Sequence, residues 1–123
     1  MTAPARKVVE EFFDRMADDG QRTTVSELFS ETTVITLPAT RFEGADAPEQ
    51  MLRFFSGRYE WAAKEFDRWI VTDNQVISIG TLYGVDEDGD EFEDVRYVDI
   101  FTLDDGLITR LDIYNDLAAE GVV

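Results

Sequence analysis

The feature that most constrains this chain is a series of strand-forming segments joined only by tight turns. Trp61–Thr72, Gln75–Val85, Glu91–Leu103 and Leu107–Tyr114 are rich in β-branched and aromatic residues. Their connections are TDNQ, DEDGD and DDG, each carrying the Asp, Asn or Gly that a hairpin needs. Strands joined this way form an antiparallel meander. The start of the first strand is ambiguous, because AAKEF also tolerates a helix. One face of such a sheet has to be covered, and the cover must come from the helical segments.

Most of those lie in the first half. Val8, Val9, Phe12, Phe13 and Met16 recur at helical spacing and predict a helix from Pro4 to Asp19, closed by Gly20. Thr24 and Glu27 have the spacing of a capping box for a short helix that presents Val25, Leu28 and Phe29. Thr32–Leu37 reads as a strand, interrupted by Pro38. Asp46 and Glu49 form a second box, with Pro48 in the first turn. The helix they open buries Met51, Leu52, Phe54 and Phe55 and stops at Gly57. Asn115 or Asp116 is expected to cap a short terminal helix, DLAAEG. Helices gathered ahead of strands point to α+β rather than alternating α/β. The expectation is one domain over residues 1–123, in the order α-α-β-α-β-β-β-β.

Composition removes several chemistries. The chain has no cysteine and no histidine. Disulfides, thiol nucleophiles, imidazole triads and the commonest zinc ligand are therefore absent. A net charge of −16 repels nucleic acid and anionic membranes, so neither is expected as a partner. The only lysines are Lys7 and Lys64; the other basic residues are arginines. A Lys-poor acidic surface fits a high-salt cytoplasm and equally a GC-rich genome. No apolar run reaches the ~18 residues of a membrane span. The segment MTAPARKVVEEFF lacks the apolar core and cleavage site of a secretion signal, so a cytoplasmic protein is expected. DEDGDEFED invites a calcium reading, but Gly89 is fourth from Asp86 where an EF-hand needs its glycine sixth. It reads as a charged hairpin tip. No metal or cofactor is expected.

The order of elements and several local stretches resemble the SnoaL-like and ketosteroid-isomerase-like proteins, the nuclear transport factor 2-like superfamily. VVEEFFDRMADDG followed by VSELFSETTVI is similar to that family's first two helices and first strand. RFEGADAPEQMLRFF is similar to the step into its third helix. VDIFTLDDGLITRLDIYND is similar to its closing hairpin. The resemblance implies a cone, a curved antiparallel sheet with three helices on its concave face around a hydrophobic pocket. It also implies a homodimer paired through the outer sheet face. The same cone carries isomerases, cyclases, dehydratases, epoxide hydrolases and non-catalytic binders.

Carried over residue by residue, the resemblance puts Asp99 at the isomerases' protonated aspartate. Their tyrosine falls on Phe12, and their base falls near Thr36 or Leu37. The epoxide hydrolases' Arg and two Asp fall near Thr81, Tyr83 and Ile113. The cyclases' His and Asp fall near Leu111 and Ile113. A register slip of one residue would bring Asp112 inward in place of Ile113.

Asp99 is the strongest catalytic candidate, because burial in the run Val98–Phe101 would raise its pKa and let a neutral carboxyl donate. Tyr97 shares its face, and Tyr83 near a strand end is the other possible hydroxyl donor. Each tyrosine can equally be a packed core aromatic. Asp112 is expected outside the pocket, paired with Arg110 or Arg96. Phe12, Met16, Thr36, Phe55, Trp61, Ile79, Thr81, Phe101, Leu111 and Ile113 are the expected pocket lining. The expected function is cofactor-free proton transfer, as in an isomerase, cyclase or dehydratase, on a small hydrophobic carbonyl or polyketide-like molecule. The rival is a non-catalytic binding or dimerisation domain of the same fold. Epoxide hydrolysis ranks below both, because the Arg–Asp pair is missing.

Overall fold

A computed structural model of the protein describes residues 4–123, and of the N-terminal segment interpreted above, Met1–Ala3 lie outside the described residues. The first helix, α1 (Ala5–Ala17), buries Val8, Val9, Phe12 and Phe13, the stripe set by its 3.6-residue period. It ends two residues before the expected Asp19. Asp18 turns extended and its carboxylate accepts from the Gly20 N–H at 2.9 Å. A 3-10 helix follows over Arg22–Leu28. Thr24 and Glu27 form no reciprocal cap there. Arg15 of α1 instead donates to the Thr24 carbonyl at 3.0 Å and to Glu27 Oε2 at 2.8 Å, tying the two helices together. Helix α2 (Ala47–Ser56) carries Pro48 in its first turn and Gly57 at its C-cap, as the sequence indicates. Asp46 makes no side-chain cap, and Glu49 pairs with Arg53 one turn on.

Six strands make one sheet: β1 (Phe29–Leu37), β2 (Thr40–Glu43), β3 (Tyr59–Val71), β4 (Gln75–Asp86), β5 (Glu91–Asp104) and β6 (Leu107–Asn115). Their spatial order is β2-β1-β6-β5-β4-β3. The meander β3–β6 is antiparallel throughout, while β1 lies parallel to β6 and makes the sheet mixed. Strand β2 is additional to the sequence expectation. Pro38 and Ala39, the latter at φ 63°, reverse the chain so that Thr40–Glu43 pairs back on β1. The tail DLAAEG forms turns rather than a helix, with Leu117 buried.

The core lies between α1, α2 and the inner face of the sheet. One inner row crosses it as Val76, Phe101, Leu111, Ile35 and Phe42 on successive strands. Phe12 and Phe13 meet Phe101 edge-on at 5.4 and 5.5 Å, a favoured aromatic geometry. Full burial of each such ring contributes roughly 1.5–3 kcal/mol.

The edge strand β3 bends over β4. A bulge between Phe66 and Arg68 adds a residue and reverses the alternation of β3. A Cβ on Gly80 would lie 2.1 Å from the Glu65 carbonyl oxygen, so only glycine permits this approach.

Two consequences correct the expected lining. After the bulge Trp69 faces the core, but before it Trp61 faces outward and is 48% exposed. On β4 the residues facing inward are Val76, Ser78, Gly80 and Leu82. Ile79, Thr81 and Tyr83 therefore stand on the outer face, because the crowded inner side has room mainly for small residues under the bent β3. Thr36 is also outside. Its neighbours Ile35 and Leu37 take the core positions, and its hydroxyl donates to Asp112 Oδ1 at 2.6 Å.

Candidate functional site

Asp99 sits mid-strand on β5, opposite Ser78 of β4 and Ile113 of β6. Strand alternation turns it inward with Tyr97 and Phe101, and all three are buried. A carboxylate here needs compensation, and most of it comes from Lys64. The same phase that turns Trp61 out turns Lys64 in, and its Nζ lies 3.5 Å from Asp99 Oδ2. The ammonium also lies 4.5 Å from the Tyr97 ring centroid and 5.7 Å from that of Phe13. Tyr97 Oη and Ser78 Oγ are hydrogen-bonded at 2.9 Å. Asp99 Oδ1 is buried with no hydrogen-bond partner.

The electrostatics follow from burial. Desolvation pushes the Asp99 carboxyl above its ordinary 3.8, and the nearby Lys64 charge and hydrogen bond oppose that shift without cancelling it. Burial raises Tyr97 to about 12; its bond to Ser78 lowers it and the Asp99 charge raises it further. Burial likewise raises Tyr59, at the start of β3, to about 12, with Arg22 opposing and Asp99 adding to the shift. Tyr59 thus belongs to the same charged neighbourhood, and Phe55 of α2 stacks on it at 6.3 Å.

Of the residues singled out in the sequence, Asp99, Tyr97, Phe12, Phe101, Leu111 and Ile113 lie on the inner side, all buried. Met16 and Phe55 pack against the same core. Trp61, Tyr83, Ile79, Thr81 and Thr36 do not join them. Asp112 lies outside, as the register implied. Burial alone would raise its pKa, but hydrogen bonds from Arg110 and Thr36 outweigh that and hold the carboxyl below its usual range. Arg96 pairs with Asp116, just past the end of β6, at 2.7 Å.

Sequence reasoning missed Lys64 and Ser78. Lys64 lies in AAKEF, where the strand phase is hidden by the bulge that follows. The glycines of β4 were the available signal, since Gly80 and Gly84 alternate with Leu82 on the inner face.

Two clefts open on the outer side of the sheet. One, of about 440 Å³, is lined by Trp61, Glu65, Thr81, Tyr83 and the acidic start of β5. The other, of about 700 Å³, includes Ile79, Arg96, Val98 and Tyr114. Asp99 lines neither. No cluster of His, Cys, Asp and Glu suited to a metal ion occurs among the described residues. No helix among them is long and apolar enough to cross a membrane.

Two α-helices and a 3-10 helix set against a curved, six-stranded mixed sheet define an NTF2-like α+β fold. The SnoaL-like domain family matches residues 9–111, and the chain belongs to that family. Solved structures agree on the fold. A protein from Jannaschia sp. CCS1 assigned as a SnoaL-like polyketide cyclase superposes with a TM-score of 0.81 at 21% identity, covering 94% of this chain and 87% of its own. An LEH-like epoxide hydrolase from M. tuberculosis gives 0.72 at 20% identity, covering 94% and 86%. An NTF2-like protein of unknown function from Exiguobacterium sp. 255-15 gives 0.74 at 22% identity, covering 89% and 98%. No curated protein matches the sequence.

Proposed function

We propose that this protein binds a small hydrophobic carbonyl compound on the inner side of the sheet and moves a proton on it without a cofactor. The reaction would be of the isomerase, cyclase or dehydratase kind. The observation that carries this reading is Asp99 Oδ1, a buried carboxyl oxygen with no partner, whose twin oxygen lies 3.5 Å from Lys64 Nζ. Buried polar atoms are normally satisfied, and an orphan of this kind calls for an explanation. A substrate proton is one. Asp99 takes a proton from the carbon beside the carbonyl through Oδ1. The charge that develops on the carbonyl oxygen is met by a hydrogen-bond donor of the same cluster, Tyr97 Oη or Lys64 Nζ. Asp99 then returns the proton to another carbon, so nothing is consumed. Burial suits the role, because a carboxyl raised toward working pH exchanges protons more readily with carbon acids. On this reading Lys64 is the acid–base partner of Asp99 in a chain that has no histidine. The likeness to a protein assigned as a polyketide cyclase supports the substrate class. Epoxide hydrolysis is disfavoured, because Thr81 and Tyr83 stand outside and Ile113 is apolar.

The test is α-proton exchange of hydrophobic ketones in D2O, followed by NMR. Asp99→Asn should slow exchange by about 10²-fold or more. Full exchange by the Asn variant would remove Asp99 from the chemistry. A second reading, a non-catalytic binding or dimerisation domain, is favoured by the aromatic packing of Phe13, Phe66 and Trp69 close to the pair. On that reading ligands stabilise the wild type and Asp99→Asn equally, and neither exchanges protons. In either case the outer face, with Ile77, Ile79, Val98, Ile100 and Tyr114 only partly covered, is the surface through which the chain pairs as a homodimer.

A further inference from the structure

We propose that Lys64 is a nucleophilic amine that captures a carbonyl compound as a protonated imine, with Asp99 taking and returning its protons. This rests on one part of the function proposed above, that a carbonyl group reaches the Asp99 cluster.

The choice of cation points this way. The other ion pairs among the described residues are made by arginines: Arg6, Arg15, Arg22, Arg41, Arg53, Arg96 and Arg110 each hold a carboxylate. Among the described residues, the buried Asp99 alone is paired with a lysine. For a purely structural pair arginine is the better residue, since its planar fork binds both oxygens of a carboxylate. Lysine is a point charge, and here it leaves Oδ1 unpartnered. What lysine can do and arginine cannot is lose a proton and form a bond to carbon. The Tyr97 and Phe13 rings and Asp99 all attract the ammonium form. The step therefore depends on the Asp99 carboxylate, 3.5 Å away, taking the proton, while the side chain keeps 26% exposure as a way in for the carbonyl compound. Lys7, by contrast, is exposed on α1.

The chemistry balances within the cluster. The Lys64 ammonium gives one proton to Asp99, and the freed amine attacks the carbonyl carbon. A C–N bond forms, and the carbonyl oxygen becomes a hydroxyl by taking a proton from the cluster. A second proton reaches that hydroxyl through Asp99, the C–O bond breaks, and water leaves. In sum, the ammonium and the carbonyl compound give an iminium ion and one water. The iminium withdraws electrons from the neighbouring carbon more strongly than the carbonyl did, so it deepens the proton transfer assigned to Asp99.

The experiment is reductive trapping on the intact folded protein. Acetone, benzaldehyde and 2-tetralone are each incubated with it and sodium cyanoborohydride, and adducts are located by peptide mass mapping. Lys64 is expected to be alkylated by at least one probe roughly tenfold or more faster than Lys7, reflecting the held proton shuttle. That preference should vanish in urea and in Asp99→Asn. Lys64→Arg, which keeps the charge, should melt like the wild type and lose only the Lys64 adduct. Equal or slower labelling of Lys64 than of Lys7 with all three probes would overturn the inference, as would preferential labelling that persists in urea. α-Proton exchange on the same samples separates the two proposals. Exchange without Lys64 trapping sinks the imine alone, trapping without exchange sinks the proton-transfer reading alone, and neither sinks both.

Discussion

Lys64 and Asp99 come within 3.5 Å of each other although β4 lies between their strands. The contact depends on what β4 lacks. Gly80, opposite Tyr97, has no side chain, and the β3 backbone folds into that space. The bulge at Phe66–Arg68 and the glycine together turn an edge-strand lysine toward the middle of the inner face.

Gly80→Ala is therefore expected to be costly. Its Cβ would meet the Glu65 carbonyl at 2.1 Å and Tyr97 Cε2 at 3.0 Å, and the nearer obstacle is backbone that cannot rotate away. A loss of about 2 kcal/mol or more is expected from overpacking of this kind, read by urea denaturation. A variant as stable as the wild type would mean that β3 does not bend as described.

Lys64→Met leaves the Asp99 carboxyl buried without its counter-charge. Breaking a buried pair from one side costs about 3–5 kcal/mol, and the partial exposure of Lys64 brings the expectation to about 2–3 kcal/mol. Adding Asp99→Leu should recover most of that loss, because the uncompensated charge is then gone. Additive losses in the double-mutant cycle would contradict the coupling.

The pH dependence of stability has two opposed components. Asp99 is raised in the folded state, so the folded chain holds a proton that the unfolded chain loses above 3.8. Its contribution is full below 3.8 and is lost as pH rises through the folded value. Asp112 is lowered, so its contribution is present above 3.8 and is lost as pH falls through its folded value. Asp99→Asn should flatten the decline on the neutral side, and Asp112→Asn should flatten the decline on the acid side. Urea denaturation at a series of pH values reads both. An unchanged neutral-side slope in Asp99→Asn would show that its carboxyl does not titrate as burial requires.

The fold was largely legible because its signals are local. The stripe Val8–Phe13, the hairpin turns and Pro48 each act within a few residues, and each does in the structure what its chemistry dictates. The first capping box failed for a tertiary reason, since Arg15 of α1 took Thr24 and Glu27, and the second for a local one, since Arg53 one turn along α2 took Glu49. Strand β2 escaped notice because only its pairing with β1 makes four residues a strand. On β5, plain alternation placed Asp99 inside. On β4 apolarity misled, because Ile77 and Ile79 cover the outside while Ser78 and Gly80 face the crowded core. On β3 no periodic rule could hold, because one inserted residue reverses the faces of Trp61 and Trp69. The lysine of the site was hidden by that reversal.

The outer face gives the last prediction. Ile70 is 45% exposed and Tyr114 56% exposed, and Ile77, Ile79, Val98 and Ile100 lie between them on neighbouring strands. An apolar strip of this kind across four strands is more than a soluble monomer usually leaves open. A self-complementary pairing over roughly 800 Å² per partner would cover it. Ile79, beside the 700 Å³ groove, is suited to test this, because its side chain points away from the core. Sedimentation at micromolar concentration should give a dimer for the wild type and a monomer for Ile79→Asp, whose carboxylates would meet across the two-fold axis or be buried unpaired. The Lys64–Asp99 cluster lies on the opposite side of the sheet, so the monomeric variant should keep the wild-type rate of ketone proton exchange. A wild type that sediments as a monomer would leave the strip without its proposed partner, and an Ile79→Asp variant that stays dimeric would place the interface elsewhere.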